Sequence, residues 1–200
     1  ANPYGCDKLA AHTLVQSFRR EHDLVCSNAI FFPHESGRRD KGFVFMKIIS
    51  QAIDIKLGLR EFIELGNIEV LRDWGYAPEY MVAVYKMAAM EEAKDLFISS
   101  GIAGSVREIV KITLDFLELG RFEEELIRGN DSLRRFREAR KIVGINDETK
   151  KTLKWSPSFD LRELVSVCLR EELRRRDSRK TVQDLGIDWN DIMVRCECEC

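Results

Sequence analysis

No apolar run in the sequence approaches the roughly 20 residues that a membrane-spanning helix needs, so no membrane role is expected. The excess of one charge sign that attracts nucleic acid or anionic lipid is missing too. Lys and Arg total 32 against 34 Asp and Glu, a net charge of −2. The N-terminus lacks the charged and apolar pattern of a signal peptide, and no internal repeat is visible. The closing Cys196-Glu-Cys198-Glu-Cys200 alternates in a way that matches no standard zinc spacing, so no metal is expected. What is there describes a soluble globular chain: 200 residues, 44% hydrophobic and 33% charged, enough for one sizeable domain. Cys6, Cys26 and Cys168 sit in apolar helix-like or strand-like settings, where free thiols are common. A reduced, cytoplasmic location is the simplest expectation.

Taken in order, the spacing predicts a helix from Asn2, a good N-cap, through Pro3 at the first helical position, to about Arg20. Ala10, Leu14 and Phe18, widened by Ala11 and Val15, form one apolar stripe expected to be buried. A nearly continuous apolar stretch over 24–32 reads as a strand covered on both faces in a parallel sheet. Helices are expected over 43–57, stopped by Gly58, and from Pro78 to about Met90. Short strands are expected over 62–65 and 96–99. Ser105 and Glu108 have the form of a capping box, and Asp160 and Glu163 repeat it before a helix to about Arg175. Between them the signal fades. A helix over 132–142 and a short one capped by Asp147 and ending near Trp155 are expected. Beyond Asp177 the tail is polar, with Leu185, Ile187, Trp189 and Ile192 as apolar residues able to dock. Alternating helices and short apolar strands argue for an α/β fold. A chain that opens on a helix cap, with no strand before it, reads as the second part of a longer fold or as a shortened version of one.

Tyr4 and Lys8 stand four residues apart, which puts them on one face of the first helix. An ammonium beside a phenol favours the phenolate and makes the tyrosine usable as an acid or base. On its own the pair is a weak signal. The order of motifs is more specific: Tyr4-x-x-x-Lys8, then Phe-Pro-His-Glu-Ser-Gly-Arg-Arg at 32–39, Leu-Gly-Asn at 65–67 and Arg-Asp-Trp-Gly at 72–75. Together these resemble GDP-mannose 4,6-dehydratases, of the extended short-chain dehydrogenase/reductase superfamily. The similarity runs over about 2–119 and resumes more weakly over 147–175, where Lys-Thr-Leu-Lys-Trp-Ser-Pro stands at 151–157.

The resemblance implies the C-terminal part of a Rossmann-like NAD(P)-binding fold with a small substrate-binding region, residues 1–176 forming the domain and 177–200 a tail. It implies NADP as cofactor and GDP-mannose as substrate, with GDP-4-keto-6-deoxymannose as product, the first step toward GDP-fucose. Tyr4 would be the base at the C4 hydroxyl and Lys8 would hold the nicotinamide ribose. His34 and Arg39 fall on positions like the family's cofactor contacts, and Lys47 and Arg72 on positions like its sugar-nucleotide contacts. A homo-oligomer through the tyrosine-bearing helix is implied as well. Related sugar-nucleotide epimerases and reductases share the Tyr/Lys pair but not the 32–39 and 72–75 motifs together. A non-catalytic paralogue that keeps the association helix is the third reading. The chain departs from the family in carrying Pro33 where asparagine is usual and Tyr76 where histidine is common, and after Gly120 the family's Arg-Pro-x-Glu-Val stretch is not recognisable. No Gly-x-x-Gly-x-x-Gly phosphate-binding turn occurs, although a dinucleotide site needs one. The family's catalytic threonine and glutamate would precede residue 1.

Overall fold

A computed structural model of the protein describes residues 3–119, 123–133 and 138–177. The element order is α1 (Pro3–His22), β1 (Ala29–Phe31), β2 (His34–Glu35), α2 (Val44–Lys56), β3 (Ile63–Leu65), β4 (Leu71–Asp73) and β5 (Gly75–Tyr76). It continues with α3 (Ala77–Ala88), β6 (Leu96–Ile98), β7 (Ala103–Ser105), α4 (Val106–Phe116), α5 (Glu123–Leu126), β8 (Ile127–Gly129), β9 (Lys141–Ile142), α6 (Asp147–Leu153) and α7 (Leu161–Asp177). Three of the pairings are parallel ribbons, β1 with β6, β2 with β5 and β3 with β8. The fourth sheet has β4 in the middle, antiparallel to β7 and parallel to β9. Parallel pairs with helical crossovers bear out the α/β expectation.

The main core lies between α2, α4 and α7. Phe45, Ile48, Ile49 and Ile53 of α2 meet Ile109, Val110 and Leu114 of α4 and Leu164, Val165 and Leu169 of α7, all essentially buried. Burying each such side chain contributes about 1.5–3 kcal/mol. A second cluster packs Tyr80, Ala83 and Met87 of α3 against Leu96 and Ile98 of β6, closed by Leu153 and Trp155. Helix ends follow local rules. Gly58, with φ +69°, follows the C-cap of α2, a conformation that costs glycine little. Ser105 accepts from the Glu108 amide at 3.0 Å while Glu108 accepts from the Ser105 amide at 2.6 Å. Asp160 and Glu163 make the same reciprocal pair at 2.8 and 2.7 Å.

Several expectations need correction. The stripe on α1 is not buried: Leu14 is 54% and Phe18 47% exposed, and the helix has no buried residue. It docks instead through polar groups. Asp95 accepts from Arg19 at 2.5 Å and from Gln16 at 3.1 Å, and the Asn28 amide binds the same carboxylate at 2.9 Å. The stretch 24–32 yields only a three-residue strand, paired on one edge, with Leu24 and Val25 exposed. The helix expected over 132–142 is absent from its described residues. A 3₁₀ turn covers Asp131–Leu133, and Lys141–Ile142 is β9, drawn into register beside Leu71 and Arg72. Asn146, not Asp147, occupies the N-cap of α6. Asn2 and the tail from 178 onward, with its apolar residues and cysteines, lie outside the described residues.

Candidate functional site

The first two turns of α1 bring Tyr4 and Lys8 together. The Lys8 ammonium lies 5.4 Å from the centroid of the Tyr4 ring. Both side chains are exposed, Tyr4 by 71%, so this pair stands open to a ligand.

His34 and Arg39 belong to the segment that leaves β2. The carbonyl of Phe32 accepts from His34 Nδ1 at 2.9 Å, which places the ring proton on Nδ1 and leaves Nε2 as an acceptor. The imidazole packs among Phe31, 5.1 Å away, and Tyr80, 5.4 Å away. Arg39 stacks its guanidinium 3.7 Å from the Phe43 ring centroid. Its Nε stands 3.6 Å from Glu35 Oε2, and both atoms are buried without a hydrogen-bond partner. Burial pushes the Glu35 carboxyl up to about 7, against the opposing charge of Arg39.

Lys47 projects half-buried from α2, and its ammonium has no hydrogen-bond or ion-pair partner among the described residues. Arg72, on β4, donates to Glu138 at 3.1 Å and to its neighbour's carbonyl, Leu71 O, at 2.8 Å. The adjacent Asp73 is fully buried and gathers donors from three other parts of the chain. Ser100 donates through its amide at 2.7 Å and its hydroxyl at 2.8 Å. The amides of Gly101 and Gly144 donate at 2.9 and 3.1 Å, and Tyr80 Oη at 3.3 Å. Burial, then the charge of Asp73, pushes the Tyr80 hydroxyl well above the usual phenol range. Trp74 donates to Gly104 O at 2.9 Å. Gly75 is required by close approach, since a Cβ there would meet Tyr80 Oη at 2.3 Å. No hydrogen bond, ion pair or ring contact joins Tyr4 or Lys8 to His34, Arg39, Lys47 or Arg72 among the described residues. No cluster of metal-binding side chains is present there either.

The model of the GDP-mannose 4,6 dehydratase family matches residues 1–168. The chain belongs to this family. A human GDP-mannose 4,6 dehydratase is 41% identical over 120 residues, which cover 60% of this chain and 32% of the human one. GDP-mannose 4,6 dehydratase 1 of Arabidopsis thaliana is 31% identical over 187 residues, 92% of this chain and 51% of the plant protein. The solved structure of RMD from Pseudomonas aeruginosa complexed with NADPH superposes with a TM-score of 0.77 at 24% identity, over 87% of this chain and 56% of that one. The last likeness establishes a shared fold. The chain spans about half the length of the curated relatives it matches.

For this dehydratase-family chain, sequence reasoning passed over two acidic residues. Glu35 lies inside the quoted 32–39 motif. An acid at the end of an apolar stretch was its only signal. Asp73 stands beside Arg72 in the 72–75 motif, yet the two side chains turn to different partners.

Proposed function

We propose that this chain supplies the catalytic tyrosine and lysine, and part of the cofactor and substrate sites, of a cytoplasmic GDP-mannose 4,6-dehydratase. Residues 1–176 would form its partial nucleotide- and sugar-binding domain and 177–200 a tail. The observation that carries it is the Tyr4–Lys8 contact of 5.4 Å on an exposed helix face, within a chain of this family. The donor set suits a dinucleotide phosphate. Arg39 presents a buried Nε with no acceptor, while His34 offers Nε2 as an acceptor to a hydroxyl or amide of the cofactor. NADP, when bound, supplies a hydride acceptor for C4 of the mannose ring and a hydride donor for C6.

The chain's own residues would act at the C4 hydroxyl, the nicotinamide ribose and the diphosphate, while the family's threonine and glutamate would come from the other part of the fold. Tyr4 takes the proton of the C4 hydroxyl as the C4–H bond breaks. Lys8 holds the nicotinamide ribose beside it. Loss of the C6 hydroxyl as water, with a proton leaving C5, would give a 4-keto-5,6-ene, and a hydride returned to C6 with a proton returned to C5 would complete GDP-4-keto-6-deoxymannose. Lys47 and Arg72 hold the nucleotide diphosphate, for which a guanidinium fork is suited. Arg72 exchanges Glu138 for that phosphate on binding. The apolar face of α1 serves subunit association. It is the observation that favours the second reading, a non-catalytic association module.

The test is complementation. The purified chain is mixed with a separately expressed N-terminal half of a relative, NADP and GDP-mannose, and keto-sugar is measured. Activity is expected from the mixture and is expected to fall at least about a hundredfold with Y4F. A mixture that turns over equally well with Y4F removes Tyr4 from the chemistry. A mixture without cofactor binding or product favours the association reading.

A further inference from the structure

A cleft of about 340 Å³ opens between the loop joining β2 to α2 and the last turns of α7. Its lining is unlike the rest of this mildly acidic chain. Five cations, Arg38, Arg39, Lys41, Arg175 and Arg176, face two carboxylates, Asp40 and Glu172. Glu172 is the hub that holds them. It is completely buried and binds Lys41 at 2.7 Å, Arg176 Nε at 2.8 Å and Arg175. Burial alone would push its carboxyl up, but the hydrogen bonds from Lys41 and Arg176 outweigh that and hold it below the usual range. Arg176 is satisfied twice over, since Asp54 also accepts from it at 2.6 Å. One buried anion therefore draws three cations to one place.

Two further cations in the cleft are less engaged. The Arg38 side chain is exposed and has no partner among the described residues. Arg39 keeps its buried Nε without an acceptor. Every lining residue is charged, and no aromatic ring is among them. Guanidinium forks with an ammonium beside them match the oxygens of a phosphate.

We propose that this cleft binds a phosphate-type oxyanion, inorganic phosphate or diphosphate, and that the bound anion ties the β2–α2 loop to α7. Arg39 is common to the cleft and to the proposed cofactor set. Arg38, Lys41 and Arg175 belong to the cleft alone, so the site is distinct from the dehydratase reading and does not rest on it. The anion closes a loop–helix contact already begun by Arg175, which donates to Gly37 O at 2.6 Å.

The experiment is calorimetric titration of the 200-residue chain with sodium phosphate and, separately, diphosphate and GDP, at constant ionic strength set with chloride. Saturable binding of phosphate or diphosphate is expected, whichever is tighter identifying the source. R38Q is expected to weaken it about tenfold, the factor equivalent to about 1.4 kcal/mol, and to leave the melting temperature in chloride unchanged because Arg38 is exposed and unpaired. R20Q, an exposed arginine on α1, is expected to bind as the unaltered chain does. Equal binding by R38Q, or equal weakening by R20Q, would show diffuse charge attraction and overturn the proposal. So would GDP binding more than about tenfold tighter than diphosphate and weakened equally by R38Q, since that would place a nucleotide and not a bare oxyanion in the cleft.

Discussion

Asp73 takes five hydrogen bonds from Tyr80, Ser100, Gly101 and Gly144 while wholly removed from water. It joins β4 to α3, to the turn after β6 and to the approach to α6. Truncation strands several buried donors at once, and such a loss costs about 3–5 kcal/mol. Asp73→Ala is therefore expected to lower the melting temperature by roughly 10 °C for a chain of this size, with Asp73→Asn intermediate because one oxygen is kept. A melting temperature within a degree or two of the unaltered protein would remove Asp73 from its place as the hub. Glu35 gives the residue scale its pH dependence. Arg39 faces it from the loop and Cys168 from α7. Its folded value of about 7 lies above the 4.5 of a free glutamate, so the folded state holds the proton more tightly. That stabilisation is complete below about 4.5 and is lost as pH rises through about 7, a swing of roughly 3 kcal/mol at most. Urea midpoints of the protein are expected to fall over this window, and those of Glu35→Gln to stay nearly flat. Parallel curves for the two proteins would show that Glu35 is not the group responsible.

Among the elements, those with complete local rules were legible before any coordinates. The capping boxes at Ser105 and Asp160 each need only two side chains three residues apart, and both formed. Ser105→Ala is expected to cost about 1 kcal/mol, read as a shift in urea midpoint with unchanged slope. A neutral result would mean that packing of Ile109 and Leu114 alone fixes the start of α4. Helix α2 was legible for the same reason, its apolar spacing and Gly58 agreeing on one answer. The strands β2, β4, β5, β7, β8 and β9 were not, because two or three residues carry no period and their partners lie far away in sequence. The pairing of Arg72 with Glu138, 66 residues on, could not be read from either local segment. In the candidate site, Tyr4 and Lys8 were legible because one helical turn relates them, whereas Glu35 and Asp73 owe their environment to long-range burial.

At the scale of the whole molecule, the apolar face of α1 stands out beside an edge of β1 that has no strand partner among the described residues. The apolar stripe was read correctly as a stripe, but periodicity reports amphipathicity and not which partner meets it. On the stripe Leu14 and Phe18 are each about half exposed, and Phe31 on β1 is 39% exposed. Apolar side chains concentrated on one helix face mark an association surface. α1 is held to the body through the Asp95 network on its other side, so the stripe can be altered without releasing the helix. The double substitution Leu14→Glu with Phe18→Glu is expected to leave the melting temperature of the dilute chain within about 1–2 °C, as exposed sites do. It is expected to abolish concentration-dependent association in sedimentation velocity, by placing two like charges on each facing surface. Unchanged sedimentation would mean that the stripe is not a contact between copies. In that case the same variant, mixed with the N-terminal half of a relative, decides the matter: lost complementation would assign the stripe to the other half of the fold, and full complementation would leave it as a solvent-facing surface in both states.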